Sequence, residues 1–113
     1  MSYKVNNPVD TVKFHKKFYK QIKDGVKTQT MRLARKRLDV HEGDVVTAIF
    51  PGISETLKIK IIKIGYKQLK STDMDDALME GYTGVDELRD DLRTFYPNIT
   101  RFDRLYYYRF ELL

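Results

Sequence analysis

Apolar residues recur at helical spacing near the start of the chain. They are Phe14, Phe18 and Ile22, at positions i, i+4 and i+8, which places them on one face of a helix. Asp10 has a side chain suited to an N-cap, so the pattern predicts a helix from Asp10 to about Asp24, with lysines over the rest of its surface. Gly25 follows, and a glycine in the left-handed conformation is a common helix end.

Alternating or β-branched apolar runs predict strands in the remainder of the chain. The predicted strands are Thr28 to Arg32, Val45 to Phe50, Glu55 to Gly65 and Leu105 to Leu112. In the third strand the apolar phase changes between Ile61 and Ile62, which indicates a β-bulge or a crossing between two sheet surfaces. The last strand carries an aromatic face with Tyr106, Tyr108 and Phe110, which we interpret as core in preference to a platform for stacking bases.

Two short helices are predicted between the third and fourth strands. Thr72 with Asp75 forms an N-terminal box for the first, which places Met74, Ala77 and Leu78 inward and ends at Gly81. Thr83 with Asp86 begins the second, which stops at Tyr96-Pro97. Strands joined by hairpins, with helices inserted at both ends, predict an α+β fold around a small, mostly antiparallel β-barrel with flanking helices.

Length and composition limit the classes of protein that fit. A chain of 113 residues with 42% hydrophobic and 33% charged positions is expected to form one globular domain over residues 1–113. It has no cysteine, no stretch apolar enough to cross a membrane and no signal-peptide pattern at Met1, so a cytoplasmic protein is expected. The net charge of +5 favours anionic partners, nucleic acid first, although a solubilising surface charge explains it equally well.

The segment from Gly25 to Arg32 is the first candidate for chemistry. Lys27 precedes the regular strand, and its long side chain can swing towards Thr30. A lysine beside a threonine hydroxyl is one way of activating a weak nucleophile. The alternative is a β-branched strand that begins after a glycine cap and carries solvated cations.

Three further features of the sequence bear on function. The basic run Arg35, Lys36 and Arg37 follows the candidate strand and fits either a phosphate contact or a solvated loop. His41 and His15 have no additional ligand at metal-binding spacing, so no metal and no cofactor are expected. Glu80 stands in the last turn of its predicted helix, where the helix dipole disfavours a carboxylate; such departures are enriched at functional sites, but a fully exposed glutamate is the simpler explanation.

Taken together, these segments resemble the ASCH domain family of the PUA-like superfamily. The resemblance is carried by Gly25-Val26-Lys27-Thr28-Gln29-Thr30-Met31-Arg32, Gly43-Asp44, Glu80-Gly81-Tyr82, Tyr96-Pro97 and the closing strand with Phe110-Glu111-Leu112. It spans roughly Phe14 to Leu112. It implies a small PUA-like barrel with a central cleft and chemistry related to RNA or nucleosides.

The resemblance also implies site residues. Some bacterial members of the family are amidohydrolases that remove the acetyl group from N4-acetylcytidine, and their catalytic lysine, threonine and glutamate match Lys27, Thr30 and Glu80. Other members cleave RNA. Arg32, Thr28 and Tyr82 are then expected to bind substrate, with Tyr82 stacking on the base. The basic link Leu33 to Leu38 follows no recognised family pattern, which leaves the size of the substrate open.

The hypothesis is an amidohydrolase with Thr30 as nucleophile, Lys27 as base and Glu80 as general acid and base. It requires a lowered pKa for Lys27, through burial and the nearby Arg32. The competing class is a non-catalytic RNA-binding module that uses Arg35, Lys36 and Arg37, and a metal-independent ribonuclease lies between the two. The expected partner is a modified nucleoside or RNA, and a monomer is expected.

Overall fold

Five strands form one mixed sheet in the computed structural model, which describes residues 11–113. They are β1 (Thr11–Lys13), β2 (Gln29–Leu33), β3 (Val45–Ile49), β4 (Leu57–Gln68) and β5 (Arg104–Leu112). Their order across the sheet is β1-β3-β4-β5-β2. Only the β1–β3 pair is parallel and the other three pairs are antiparallel. The predicted α+β class with mostly antiparallel pairing is therefore found.

The predicted closed barrel is wrong, because β1 and β2 are the two free edges of the sheet and do not pair with each other. A side chain spans the gap between them: Nη2 of Arg32 on β2 donates to the carbonyl oxygen of Lys13 on β1 at 2.9 Å. A strand ladder needs backbone groups about 4.8 Å apart across the pair. An arginine bridge between the edges keeps the strands further apart than that, so the sheet stays open there.

The predicted helix from Asp10 to Asp24 is also wrong in its first half. Asp10 lies outside the described residues, and Thr11–Lys13 form β1, with Val12 opposite Ala48 of β3. The β-branched pair Thr11 and Val12 suits a strand, and β3 offers an unpaired edge. Only Tyr19–Lys23 are α-helical (α1), after a 3₁₀ turn at Lys16–Phe18.

The apolar stripe assigned to that helix is nevertheless buried as predicted. Phe14, Phe18 and Ile22 are 3%, 7% and 1% exposed. His15 begins the 3₁₀ turn, because its Nδ1 accepts a hydrogen bond from the backbone N–H of Lys17. The chain therefore turns from strand to helix without moving the stripe away from the core.

The phase change in β4 is confirmed as a bulge. Ile61 pairs with Phe110 and Lys63 with Arg109, so Ile62 is the extra residue. Ile61 is buried, whereas Ile62 is 48% exposed. A bulge increases the local twist of a strand, which allows the long β4 to pair with β3 at one end and with β5 along most of its length.

Two helices follow β4, each starting one or two residues later than predicted. Helix α2 spans Met74–Met79 and is capped by a reciprocal box of Asp73 and Asp76, while α3 spans Val85–Phe95 with Gly84 at its N-cap. Of the predicted inward residues of α2, Ala77 is buried, but Met74 and Leu78 are half exposed. A helix of six residues covers the sheet with one narrow face only.

The core has two parts, one on each face of the sheet. The larger part includes Phe14, Phe50, Tyr108 and Phe110, which confirms the aromatic face of β5 as core. The smaller part lies under α2 and α3; its buried members are Met31, Leu33, Leu69, Ala77, Leu88, Leu92 and Leu105. Tyr82 packs against both. Within residues 11–113 the search for a helix both long and apolar enough to cross a membrane returns nothing.

A substitution at Gly81 tests how the end of α2 is held in place. Its φ is +94°, and a Cβ there would lie 2.5 Å from Oε1 of Gln21. We expect Gly81→Ala to lower the free energy of unfolding by about 1–2 kcal/mol for the left-handed backbone and by about 1 kcal/mol more for overpacking. Urea unfolding measures both.

Gly25→Ala is the matched control, since its φ is +76° and nothing lies within 4 Å of the added Cβ. It should show the backbone cost alone. Equal losses of stability in the two variants would show that contact with Gln21 does not fix this turn.

Candidate functional site

A cavity of about 510 Å³ opens where the sheet fails to close, between the edges β1 and β2, and α3 covers it. Five of the site residues predicted from the sequence lie in its wall: Lys27, Thr30, Arg32, Glu80 and Tyr82. Most of the remaining wall is apolar or aromatic, with side chains from the segment after β1 and from α3. A concave site with apolar walls and a few convergent polar groups is typical of small-molecule binding.

Lys27 and Glu80 form a buried ion pair in this wall. Nζ of Lys27 donates to both the Oε1 and the backbone carbonyl oxygen of Glu80, each at 3.1 Å. The two side chains are 2% and 5% exposed. Nζ also lies 4.4 Å from the ring centroid of Phe18, which adds a cation–π contact. The exposed glutamate considered from the sequence is therefore excluded.

Backbone hydrogen bonds between distant segments bring the pair together. The N–H of Lys27 donates to the carbonyl oxygen of Gln21 at 3.0 Å, and the N–H of Thr28 donates to that of Met79 at 2.7 Å. The start of β2 is thereby joined to both α1 and the end of α2. Glu80 occupies the C-cap of α2, directly after the residue to which Thr28 is bonded.

A second buried network holds α2 against the sheet one turn before Glu80. Oδ1 of Asp76 accepts from Nε2 of Gln29 at 3.1 Å and Oδ2 accepts from Nζ of Lys67 at 2.8 Å. Arg109 Nε in turn donates to Oε1 of Gln29 at 3.0 Å. Burial raises the pKa of Asp76, but the hydrogen bonds from Lys67 and Gln29 outweigh it and leave that pKa below its ordinary value. Asp76 is therefore held as a carboxylate, and it fixes the helix that carries Glu80.

Burial shifts the pKa values of the central pair in opposite directions. It lowers the pKa of Lys27 below 10.5, with a smaller contribution from the Arg32 charge, while Glu80 opposes the shift. It raises the pKa of Glu80 above 4.5, opposed by Lys27. Transfer of a proton from Lys27 to Glu80, which turns the charged pair into a neutral pair, therefore costs less free energy. Lys27 therefore loses a proton, and Glu80 gains one, more readily than either group would in water.

One oxygen of Glu80 has no partner among the described residues. Oε2 is buried and accepts no hydrogen bond, whereas Oε1 is held by Lys27. Buried polar atoms in native proteins nearly always have a partner. Because Glu80 lines the cavity, a water or ligand group that fills the cavity can supply the missing donor.

Thr30 is held beside a fixed cation. Nε of Arg32 donates to Oγ1 of Thr30 at 3.2 Å, and the guanidinium lies 5.3 Å from the ring centroid of Phe14. Thr30 is 6% exposed. A hydroxyl oxygen that accepts a charge-assisted hydrogen bond is a better proton donor than a free one.

The sequence reasoning missed Asp91, which lies on the cavity side of α3. It is paired with Lys17 at 2.8 Å and accepts a short hydrogen bond from the hydroxyl of Tyr82. Burial and the Asp91 carboxylate both raise the pKa of Tyr82, so its hydroxyl stays protonated. The sequence did contain a signal for Asp91, because it is a charged residue within the apolar stripe of α3, between Leu88 and Leu92. Gln29 and Asp76 gave no comparable signal.

The other predicted binding residues divide into two groups. Tyr82 lines the cavity, whereas Thr28 does not. Arg35, Lys36 and Arg37 are exposed on a 3₁₀ turn after β2 and also lie outside the cavity wall. Within residues 11–113 there is no group of three or more His, Cys, Asp or Glu side chains placed to hold a metal ion.

Solved structures share this architecture. An ASCH domain from Lactobacillus crispatus superposes with a TM-score of 0.73 at 16% identity, covering 82% of this chain and 68% of that one. Protein EF3133 from Enterococcus faecalis, described as DUF984, gives 0.66 at 18% identity over 83% and 65% of the two chains. The hypothetical protein PH0355 gives 0.63 at 19% identity over 91% and 97%.

No known protein-family profile matches the sequence, and no curated protein does. At these identities the similarity establishes the fold alone. The chain has the fold of an ASCH domain, and the resemblance seen in the sequence is confirmed at that level.

A double-mutant cycle tests the buried pair. We expect Lys27→Met and Glu80→Gln each to lower the free energy of unfolding by about 3 kcal/mol, because each leaves a buried polar group unpaired. The double variant should lose clearly less free energy of unfolding than the sum of the losses in the two single variants. Urea unfolding at neutral pH gives the coupling energy.

The exposed pair Lys20–Asp24, at 2.8 Å against 3.1 Å in the buried pair, is the matched control. Lys20→Met and Asp24→Asn should show much weaker coupling, since water screens that pair. Similar coupling in the two cycles would contradict a special role for burial at Lys27 and Glu80.

Proposed function

We propose that this ASCH-fold chain is an amidohydrolase that removes the acyl group from the N4 position of an acylated cytosine nucleoside such as N4-acetylcytidine. Residues 1–113 then act as a single ASCH-like domain. The observation that supports the proposal most directly is the buried Lys27–Glu80 pair, which shares one cavity wall with the hydroxyl of Thr30. An amine, an alcohol and a carboxylate in one partly apolar cavity are the groups that a two-step acyl transfer requires.

In the first step, Thr30 Oγ1 attacks the acyl carbonyl carbon while neutral Lys27 takes the hydroxyl proton. The carbonyl π electrons move to oxygen, and an anionic tetrahedral intermediate forms. When it collapses, the bond between the acyl carbon and N4 breaks, and protonated Glu80 gives N4 a proton. Cytidine leaves, and the acyl group remains on Thr30 as an ester.

The second step returns the enzyme to its starting state. The Glu80 carboxylate takes a proton from water as that water attacks the ester carbonyl. Collapse of the second tetrahedral intermediate breaks the bond to Thr30 Oγ1, which recovers its proton from Lys27. Acetate leaves, and the net reaction is one amide and one water giving one amine and one carboxylic acid.

Arg32 supports both steps electrostatically. Its guanidinium stays charged although burial lowers its pKa. It already donates to Oγ1 of Thr30 at 3.2 Å, so negative charge that develops on that oxygen is stabilised. Tyr82 is proposed as the aromatic face for the cytosine ring, because its hydroxyl is engaged by Asp91 and its ring belongs to the cavity wall.

The size of the cavity favours a nucleoside. Its volume of about 510 Å³ lies within the range of about 300–1,000 Å³ that is usual for small-molecule pockets. A free nucleoside needs little cationic surface, and the basic run Arg35, Lys36 and Arg37 is absent from the wall, whose cations are Lys13, Lys16, Lys27 and Arg32.

Removal of the Thr30 hydroxyl is the sharpest test. We expect Thr30→Val to lower the rate of N4-acetylcytidine hydrolysis by at least about 10²-fold, while Thr30→Ser, which keeps a hydroxyl, retains measurable activity. Chromatography of released cytidine and an acetate assay provide the measurement. Thr94→Val, an exposed residue of α3 outside the cavity wall, is the control and should keep full activity. Wild-type turnover by Thr30→Val would refute the nucleophile.

The dependence of the hydrolysis rate on pH tests the proposed roles of Lys27 and Glu80. The active state carries one proton shared between Lys27 and Glu80, so activity falls when the pair gains a second proton and when it loses the last one. We therefore expect a bell-shaped profile of kcat/KM. Burial raises the pKa of Glu80 above 4.5 and lowers that of Lys27 below 10.5, so the acid limb should lie above 4.5 and the alkaline limb below 10.5. Glu80→Gln should abolish the alkaline limb in its residual activity, because the proton lost in that limb belongs to Glu80, and should leave an acid limb from protonation of Lys27; an unchanged alkaline limb would contradict the assignment.

A further inference from the structure

A second surface lies outside the cavity, at the end of the antiparallel β4–β5 pair where β4 ends and β5 begins. It exposes two large aromatic side chains, Phe102 at 57% and Tyr66 at 59%. The ring of Tyr66 lies against the ring of Tyr106, and their centroids are 5.8 Å apart. We call Phe102, Tyr66 and Tyr106, with the cations that contact them, the aromatic band.

Every ring of the aromatic band has a cation against it. Lys70 and Arg101 each lie 5.1 Å from the ring centroid of Phe102. Arg104 lies 5.5 Å from that of Tyr66. Arg37 lies 5.6 Å from that of Tyr106. None of these four cations makes an ion pair with a residue in the described range 11–113.

The two parts of the band stand on neighbouring backbone. Gln68 links its parts, because its Nε2 donates to the carbonyl oxygen of Phe102 at 3.1 Å and the residue pairs with Arg104 across the sheet. Lys70 and Arg101 are also joined through their backbones, by an N–H···O bond of 2.9 Å. The rings and cations therefore stand on rigid, hydrogen-bonded backbone.

A basic cleft of about 300 Å³ extends the band at its Phe102 end. It is lined by Leu69, Lys70, Arg89, Arg93 and Arg101. Three hydrogen bonds hold Arg89 in place, from Nε and Nη2 to Thr72 and to the carbonyl oxygen of Lys70. Two carboxylates lie nearby: Asp90 is 3.4 Å from Arg93, and Asp103 accepts from the N–H of Thr100. The cleft keeps an excess of positive charge.

This arrangement matches what a single-stranded nucleic acid presents. Its phosphates need a row of cations, and its unpaired bases stack on exposed aromatic rings or on arginine planes. A duplex hides its base faces and has no use for exposed rings. We propose that the aromatic band and its basic cleft bind single-stranded nucleic acid through alternating base stacking and phosphate contacts.

Helix α3 separates the basic cleft from the cavity in which hydrolysis is proposed: Leu88, Asp91 and Leu92 line the cavity, whereas Arg89 and Arg93 line the cleft. The opposite end of the band lies next to the cavity wall, because Tyr106 pairs with Arg32 across the sheet. The variants that test the band are therefore placed at its other members. Of the basic run predicted from the sequence to contact RNA, only Arg37 belongs to the band. The proposal goes beyond the hydrolase and stands or falls independently of it.

Fluorescence anisotropy with a short labelled single strand tests the proposal, with RNA and DNA of one sequence as two arms and the corresponding duplex as a third. We expect Phe102→Ala and Tyr66→Ala each to weaken single-strand binding by about 5- to 150-fold. Ile62→Ala, which removes another exposed apolar side chain of β4, should leave affinity unchanged. Binding by either single strand supports the site, and the difference between the arms identifies the sugar that it prefers.

Charge is tested by the dependence on salt. Arg101→Gln and Arg104→Gln should each reduce the slope of log Kd against log salt by about 0.7, whereas the remote, exposed Lys60→Gln should not. Equal affinity for duplex and single strand, or unchanged affinity in Phe102→Ala and Tyr66→Ala with native circular dichroism, would overturn the proposal. Glu80→Gln should bind normally, and the band variants should hydrolyse free N4-acetylcytidine at the wild-type rate, so the two proposals can fail separately.

Discussion

The buried pair of Lys27 and Glu80 is the interaction on which the site depends. Taking either charge out of water alone is costly by several kcal/mol, so neither residue is tolerated there without the other. The ammonium bonds both the carboxylate and the backbone carbonyl of Glu80, which fixes the main chain as well as the side chain. This is possible only where the start of β2 meets the end of α2. The hydrogen bond between the Thr28 N–H and Met79 holds that junction, and the Asp76 network keeps α2 in the required orientation.

The open sheet follows from the same geometry. A fully closed barrel of this size fills its interior with side chains, which would leave no room for a ligand. Here a hydrogen bond from the Arg32 side chain bridges the edges β1 and β2, and the cavity lies between them. Arg32 consequently joins two roles, since its Nη2 links the edges and its Nε contacts Thr30. The incomplete closure of the sheet is what leaves room for a cavity of about 510 Å³.

Patterns in the sequence were sufficient to predict the features that depend only on residues close together along the chain. The alternation in β5 and the phase change at Ile62 predicted the strand and the bulge correctly. The first helix was predicted wrongly because Thr11 to Lys13 pair with β3, more than thirty positions away, and helical spacing of the apolar residues contains no information about a distant free edge. Barrel closure failed as a prediction for the same reason. The meeting of Lys27 with Glu80, 53 positions apart, was expected only through the resemblance to a family. Gln29 and Asp76 were missed because their importance lies in a contact between distant segments.

The distribution of charge explains why the net charge could not decide between a nucleoside and a nucleic acid. Inside the cavity, Lys27 is matched by Glu80, so the pair contributes no net charge in either protonation state that carries one proton. The excess of +5 is therefore carried by other residues, and part of it is concentrated where arginines and lysines lie against exposed rings. The cavity wall combines the paired Lys27 and Glu80 and apolar side chains with the cations Lys13, Lys16 and Arg32, whereas Arg89 and Arg93 face the basic cleft on the other side of α3. The buried pair and the basic cleft can therefore serve different purposes in one small fold, because a single helix stands between them.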